Sequence, residues 1–120
     1  MTGAGARKKG SRWELAVAQR FRALFPDYGV RRGFQSRAGT EAPDVVVPGW
    51  WIECKNHRRV NLRAALAQAI ADAQATPDRV PVAICKDDHA EPVAVLRFDD
   101  FLALVARTAP ATTTGPGVAS

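Results

Sequence analysis

Cysteine is scarce in this 120-residue chain, which has only Cys54 and Cys85. Two thiols cannot build the multi-bridge framework that staples small secreted domains, and a chain of this length buries about two thirds of its unfolded surface without one. Long apolar runs are missing too: no stretch approaches the ~20 residues of a membrane span. The basic N-terminus, "MTGAGARKKGSRWE", has no apolar segment behind it, so a secretory leader is not expected. A soluble cytoplasmic protein with reduced thiols is the expectation, with no membrane partner. Acids are what the first third lacks. Residues 1–37 hold nine Lys or Arg against two acids, a local charge of +7, while the remainder holds eight bases against ten acids, or −2. Arginine dominates that excess, and its forked donors suit phosphate, so a nucleic acid is the expected partner.

Both ends read as unstructured: residues 1–10 as a flexible basic arm, residues 108–120 as a disordered Thr/Pro/Gly/Ala tail. Residues 11–107 then form one domain. Ser11 is positioned to cap a first helix with Trp13, Val17, Phe21, Leu24 and Phe25 on its apolar stripe, ended by Pro26. "YGVRRGFQ" reads as a strand, and the polar loop "SRAGTEA" leads to a hairpin, "DVVV" and "WWIECK", turning at Pro48 and Gly49. Asn61 caps a helix over Leu62–Gln74, with Leu62, Leu66, Ala69, Ile70 and Ala73 on one face. "VPVAICK" and "PVAVLRF" are two more strands around the turn "DDHAE", and "DDFLALVAR" is a last helix. The order is αβββαββα.

The hairpin carries the chemistry. A turn on Pro48-Gly49 pairs residues whose numbers sum to 97, so Val47 faces Trp50 and Asp44 faces Glu53. The two carboxylates then converge, Lys55 shares their face by the period of two, and Ile52 and Cys54 point into the core. Like charges this close repel, and a divalent cation relieves them: Mg²⁺ takes one or two carboxylates, a backbone carbonyl such as that of Cys54, and several waters. Mn²⁺ is able to take its place. Lys55 is suited to orient or deprotonate a metal-bound water, or to stabilise charge on a phosphate. Arg7, Lys8, Lys9 and Arg12 are the phosphate-gripping arm, and Arg31, Arg32 and Arg37 put positive charge beside the acids, with Arg58 just beyond them.

"PD" at 43–44, eight residues, then "ECK" at 53–55 resembles the PD-(D/E)XK nuclease superfamily. With "RKKGSRWE", "VRR", Ser36 and "IECKNH" in order, the chain is most similar to archaeal-type Holliday junction resolvases and resolvase-like proteins of bacterial viruses, over about residues 7–75. The resemblance implies an α/β fold with a restriction-endonuclease-like αβββαβ core and a central mixed five-stranded sheet flanked by helices. It implies Asp44 and Glu53 as metal ligands, Glu14 as a further acid, Lys55 as the catalytic lysine, and Ser36 in a loop approaching the scissile strand. It also implies Gln68 on the following helix, branched or duplex DNA as substrate, and action as a homodimer at the nucleoid, or in host cytoplasm if the chain is viral. Glu41 is a spare acid able to compete with Glu14 for the metal.

Two other readings stand beside it. Cys54-x2-His57 and Cys85-x3-His89 have the spacing of a zinc site. The same fold also serves nucleases for flaps, ends or duplex sites, and DNA-binding modules that do no chemistry. Trp50 and Trp51, beside the turn, are core or dimer residues, or stacking platforms for bases. Residues 94–98 and Phe101, Leu102 and Val105 are the expected dimer contacts.

Overall fold

The computed structural model describes residues 3–33 and 42–110. Ser36, Arg37 and Glu41, and the tail from residue 111, lie outside the described residues. Helix α1 runs over Gly3–Leu24, so it starts eight residues before the expected cap at Ser11. Alanine, lysine and arginine are good helix formers and carry the helix upstream into the basic arm. An ion pair between Lys9 and Asp88 ties that upstream turn to the loop after the fourth strand. The strand expected over "YGVRRGFQ" is reduced to β1, Arg31–Arg32.

Strands β2 (Val45–Val47), β3 (Trp50–His57), β4 (Val80–Asp87) and β5 (Val93–Val95) complete a five-stranded sheet in the order β1-β2-β3-β4-β5. Every neighbouring pair is antiparallel except β3 and β4, which are parallel. Parallel neighbours need a crossover, and helix α2 (Leu62–Asp72) with a 3₁₀ turn (Ala73–Ala75) supplies it. The Asn61 side chain accepts from the Ala64 N–H at 3.0 Å, the expected cap. The hairpin register is the one the turn dictates: Val45 opposes Ile52, Val46 opposes Trp51 and Val47 opposes Trp50, with Gly49 at a φ of 85° that favours glycine. The chain is therefore an α/β protein with a mixed sheet and, among the described residues, three α-helices, the third being α3 (Phe98–Thr108). That last helix begins one residue before the expected "DDFLALVAR" and runs past the boundary at 107.

The two sheet faces have different covers. On one, α1 packs Trp13, Val17 and Ala18 on Val45, Val47, Ile52, Cys54 and Val82. On the other, Ala69 of α2 and Ala73 of the 3₁₀ turn lie against Trp51. Small alanines let the helix approach closely enough for a whole indole to be buried beneath it. Trp51 is thus a core residue, and Trp50 is half-buried. α3 buries none of its residues.

Candidate active site

β2 is shorter than β3, and the site lies where β2 gives out. Its ladder stops at Val45, opposite Ile52, so Glu53–His57 have no β2 partner. The expected cross-strand opposition of Asp44 and Glu53 does not form. Asp44 turns out of the ladder instead and is held by three bonds. Its N–H donates to the Ile52 carbonyl at 2.8 Å, its carbonyl accepts from the Gly33 N–H at 2.9 Å, and its Oδ2 accepts from the Cys54 N–H at 2.8 Å. The Gly33 contact requires glycine, because a Cβ there would collide with the Pro43 carbonyl oxygen.

Glu53 lies on the α2 side and is 4% exposed. Its Oε1 accepts from the Trp51 indole N–H at 3.0 Å, two residues back on the same face. Burial pushes its carboxyl up to about 8, the Asp44 charge adds to that, and the Trp51 hydrogen bond opposes it. Lys55, on the same face, lowers it and lines a cavity of about 200 Å³ with His57, Val60, Asn61, Ala65 and Gln68. Lys55 and Gln68 therefore line one cavity.

Glu14 arrives from the opposite face. The Trp13 indole N–H donates to the Ile84 carbonyl at 3.1 Å, which anchors α1 over β4 and sets Glu14 toward the end of β2. Burial raises its carboxyl, and the Asp44 charge does so further. Arg32 works against both, its Nη2 donating to Glu14 Oε1 at 3.0 Å. Glu14 also feels Lys55, and the Cys54 thiol, pushed up mainly by burial, feels Asp44, Glu14 and Glu53. Glu14, Asp44, Glu53 and Lys55 are therefore one electrostatic neighbourhood, assembled from both faces around Cys54. Each acid spends one oxygen on a protein donor, and among the described residues none donates to the other oxygen.

Among the described residues no three His, Cys, Asp or Glu side chains close into a metal cluster. The zinc alternative fails for a visible reason. Cys54 opposes Ile84 and Cys85 opposes Lys55 across β3 and β4, which puts the two thiols on opposite faces. His89 sits exposed in the following turn.

Of the expected phosphate contacts, Lys8, Arg12, Arg31 and Arg58 are exposed, whereas Lys9 is engaged by Asp88 and Arg32 by Glu14. Arg7 belongs to α1, and its side chain lies outside the described part. Trp51, Gly33 and His57 were not singled out for the acid site from the sequence. The period of two across Trp51, Glu53 and Lys55 signals the first; nothing local signals that Gly33 must admit the Pro43 carbonyl. Comparison with family models, curated proteins and solved structures gives no match for this chain.

Proposed function

We propose that the chain is a metal-dependent endonuclease of the PD-(D/E)XK type, acting on branched DNA as a Holliday junction resolvase does. One observation carries this: three carboxylates and a lysine from α1, the β2 edge and β3 share one neighbourhood at the end of a short strand, each carboxylate with one oxygen that no described residue donates to. The donor set fits Mg²⁺, which needs only one or two carboxylates and keeps several waters, so a closed three-ligand cluster is not required. Asp44 and Glu53 would hold the ion, with Glu14 and the Cys54 carbonyl beside them. When bound, Mg²⁺ supplies a Lewis acid and an activated water at the scissile phosphate.

The chain's own groups do the rest. Two bonds fix the Asp44 backbone and the Cys54 N–H holds its carboxylate before substrate arrives, and the Trp51 N–H holds the Glu53 carboxylate likewise. Lys55 offers positive charge to the phosphate as charge builds on its oxygens. The exposed bases of α1 and β1 bring the backbone in.

The open metal geometry among the described residues favours one other reading, a DNA-binding module of the same fold that does no chemistry. Incubation with labelled four-way junction, flap, duplex and single strand, with Mg²⁺ or EDTA, separates the two. Mg²⁺-dependent cleavage of the junction is expected. Cleavage of flaps or duplex alone would move the substrate, and tight binding without cleavage in Mg²⁺ or Mn²⁺ would leave the binding module.

A further inference from the structure

Four cations gather at one corner of the fold with no acid to match them. From residue 55 to residue 71 the chain has Lys55, Arg58, Arg59 and Arg63 and no Asp or Glu, a run that the charge of −2 over residues 38–120 conceals. The fold places it at the end of β3, in the loop that follows and in the first turns of α2. Lys9, Arg32 and Arg97 each have an acid within salt-bridge distance, whereas among the described residues no salt bridge reaches any of these four. Asp87, across from His57 on β4, serves the backbone instead, its Oδ1 accepting from the Val60 N–H at 2.7 Å. The cavity of about 200 Å³ lies within this corner, lined by Lys55, His57, Asn61 and Gln68 among small apolar groups, and no described carboxylate lines it. Asn61 Oδ1 is taken by the Ala64 N–H, which leaves the NH₂ to donate. The first turn of α2 carries no acid, so the positive end of its dipole is also unmatched.

We infer that this cavity is a subsite for one phosphate of a nucleic-acid strand, the neighbour of the phosphate that meets the acids. Its size selects a group, since it holds roughly seven waters at about 30 Å³ each and falls below the ~300 Å³ at which pockets for whole small molecules begin. Its lining selects an anion with several acceptor oxygens. His57, Asn61 and Gln68 donate to it, and Arg58 and Arg59, exposed between the lining residues His57 and Val60, draw the strand in. β3 sets the spacing: Glu53, Lys55 and His57 share one face at steps of about 6–7 Å, so Lys55 stands between the acids and the cavity and serves both phosphates. That the phosphate is the neighbour of a scissile one rests on the nuclease reading; that the cavity takes phosphate does not.

The first measurement needs no cleavage. The full chain in EDTA is titrated with inorganic phosphate, against sodium chloride of equal ionic strength, and its amide NMR spectrum is followed. Saturable shifts at His57, Asn61 and Leu62 in the millimolar range are expected, and His57→Gln with Arg59→Gln, both exposed positions, is expected to weaken them about tenfold. Arg63→Gln is expected to leave them unchanged, because its side chain lines a separate groove with Leu66, Ile70 and Val95. No saturable shift, or shifts at Arg12 and Arg31 in place of these, overturns the inference. The second measurement uses Mg²⁺ and four-way junctions with one uncharged methylphosphonate at successive positions around the cleaved bond. The position beside the cut is expected to slow the parent about tenfold and to slow His57→Gln with Arg59→Gln no further. Losses that simply add overturn the inference, as does a loss seen only when a terminal phosphate is removed, which would make the cavity a holder of strand ends. Phosphate bound at His57 by a chain that cleaves no DNA supports the cavity and overturns the nuclease reading alone.

Discussion

Glu53→Gln is expected to make the protein more stable while ending cleavage. Among the described residues Glu53 is the one charged residue in the buried set, with Trp51 as its hydrogen-bond donor and the Asp44 charge nearby. Its carboxyl is raised from an ordinary value of 4.5 to about 8, so between those pH values the folded chain holds a proton that the unfolded chain has released. The folded state then binds more protons than the unfolded state, and stability falls as pH rises through that window, levelling off above about 8. Each pK unit is about 1.4 kcal/mol, which bounds the loss near 5 kcal/mol; solvent screening at the end of the sheet brings a working value of about 2–3 kcal/mol. Glutamine keeps the volume and keeps an oxygen for the Trp51 N–H, but it carries no charge to desolvate. At pH 4, below the unfolded value, the variant and the parent are expected to melt close together. At pH 8.5, without metal, the variant is expected to melt roughly 10 °C higher, from about 4–8 °C per kcal/mol for a domain of this size. Circular dichroism melts at the two pH values measure this. A variant whose stability falls with pH as steeply as the parent's would refute the assignment of the buried proton to Glu53. Mg²⁺ added at pH 8.5 is expected to raise the parent's melting temperature and leave the variant's where it is.

Asp44→Asn is expected to abolish cleavage and leave junction affinity within a few-fold, because phosphate contacts are made by other residues; wild-type turnover would remove Asp44 from the site. Gly33→Ala is expected to cost about 1–3 kcal/mol and most of the activity, since the Pro43 carbonyl must yield and Asp44 moves with it; a melt and a cleavage assay on the same sample test both. Replacing Lys8 and Arg12 together by Gln is expected to flatten the slope of log affinity against log salt by nearly 2, about 0.9 for each lost phosphate contact. Lys9→Gln is expected to leave that slope unchanged, because Lys9 is already committed to Asp88. Trp51→Phe keeps the packing on Ala69 and Ala73 but orphans Glu53, so about 1–3 kcal/mol of stability is expected to go in urea unfolding at pH 8.5.

How much of this was legible depended on how local the cause was. The hairpin register followed from Pro48-Gly49 alone, and the cap at Asn61 followed from one side chain, so both were readable in order and position. The alternation in "WWIECK" placed Ile52 and Cys54 in the core for the same reason. The start of α1 was missed because helix propensity and a distant ion pair, Lys9 with Asp88, decided it where apolar periodicity gave no signal. The break in the ladder at Asp44 has no local signal because it depends on Gly33, just after β1, and the Cys54 N–H from β3, neither of them beside Asp44 in sequence. Period two put Asp44 on the face of Glu53; the bonds it finds took it elsewhere.

That difference bears on why charge sits in the middle of an apolar hairpin. Had Asp44 and Glu53 stayed opposed on one strand pair, the lysine two residues on would be a sufficient structural counter-ion. The acids are instead separated by the sheet, Glu53 under α2 and Glu14 under α1, with Asp44 between them at the end of β2. Separate donors serve each one: Trp51 for Glu53, the Cys54 N–H for Asp44, and Arg32 for Glu14. A chain selected for stability alone has simpler choices at position 53, where a glutamine or an apolar residue avoids a desolvated carboxyl altogether. A desolvated acid supported by a buried indole is what the proposed cation site calls for, at the expense of the fold. It also makes the prediction for Glu53→Gln two-sided. An acid kept as the counter-charge of Lys55 would lose stability on replacement, because the ammonium is left without it. An acid kept for its charge toward a ligand gains stability and loses function together.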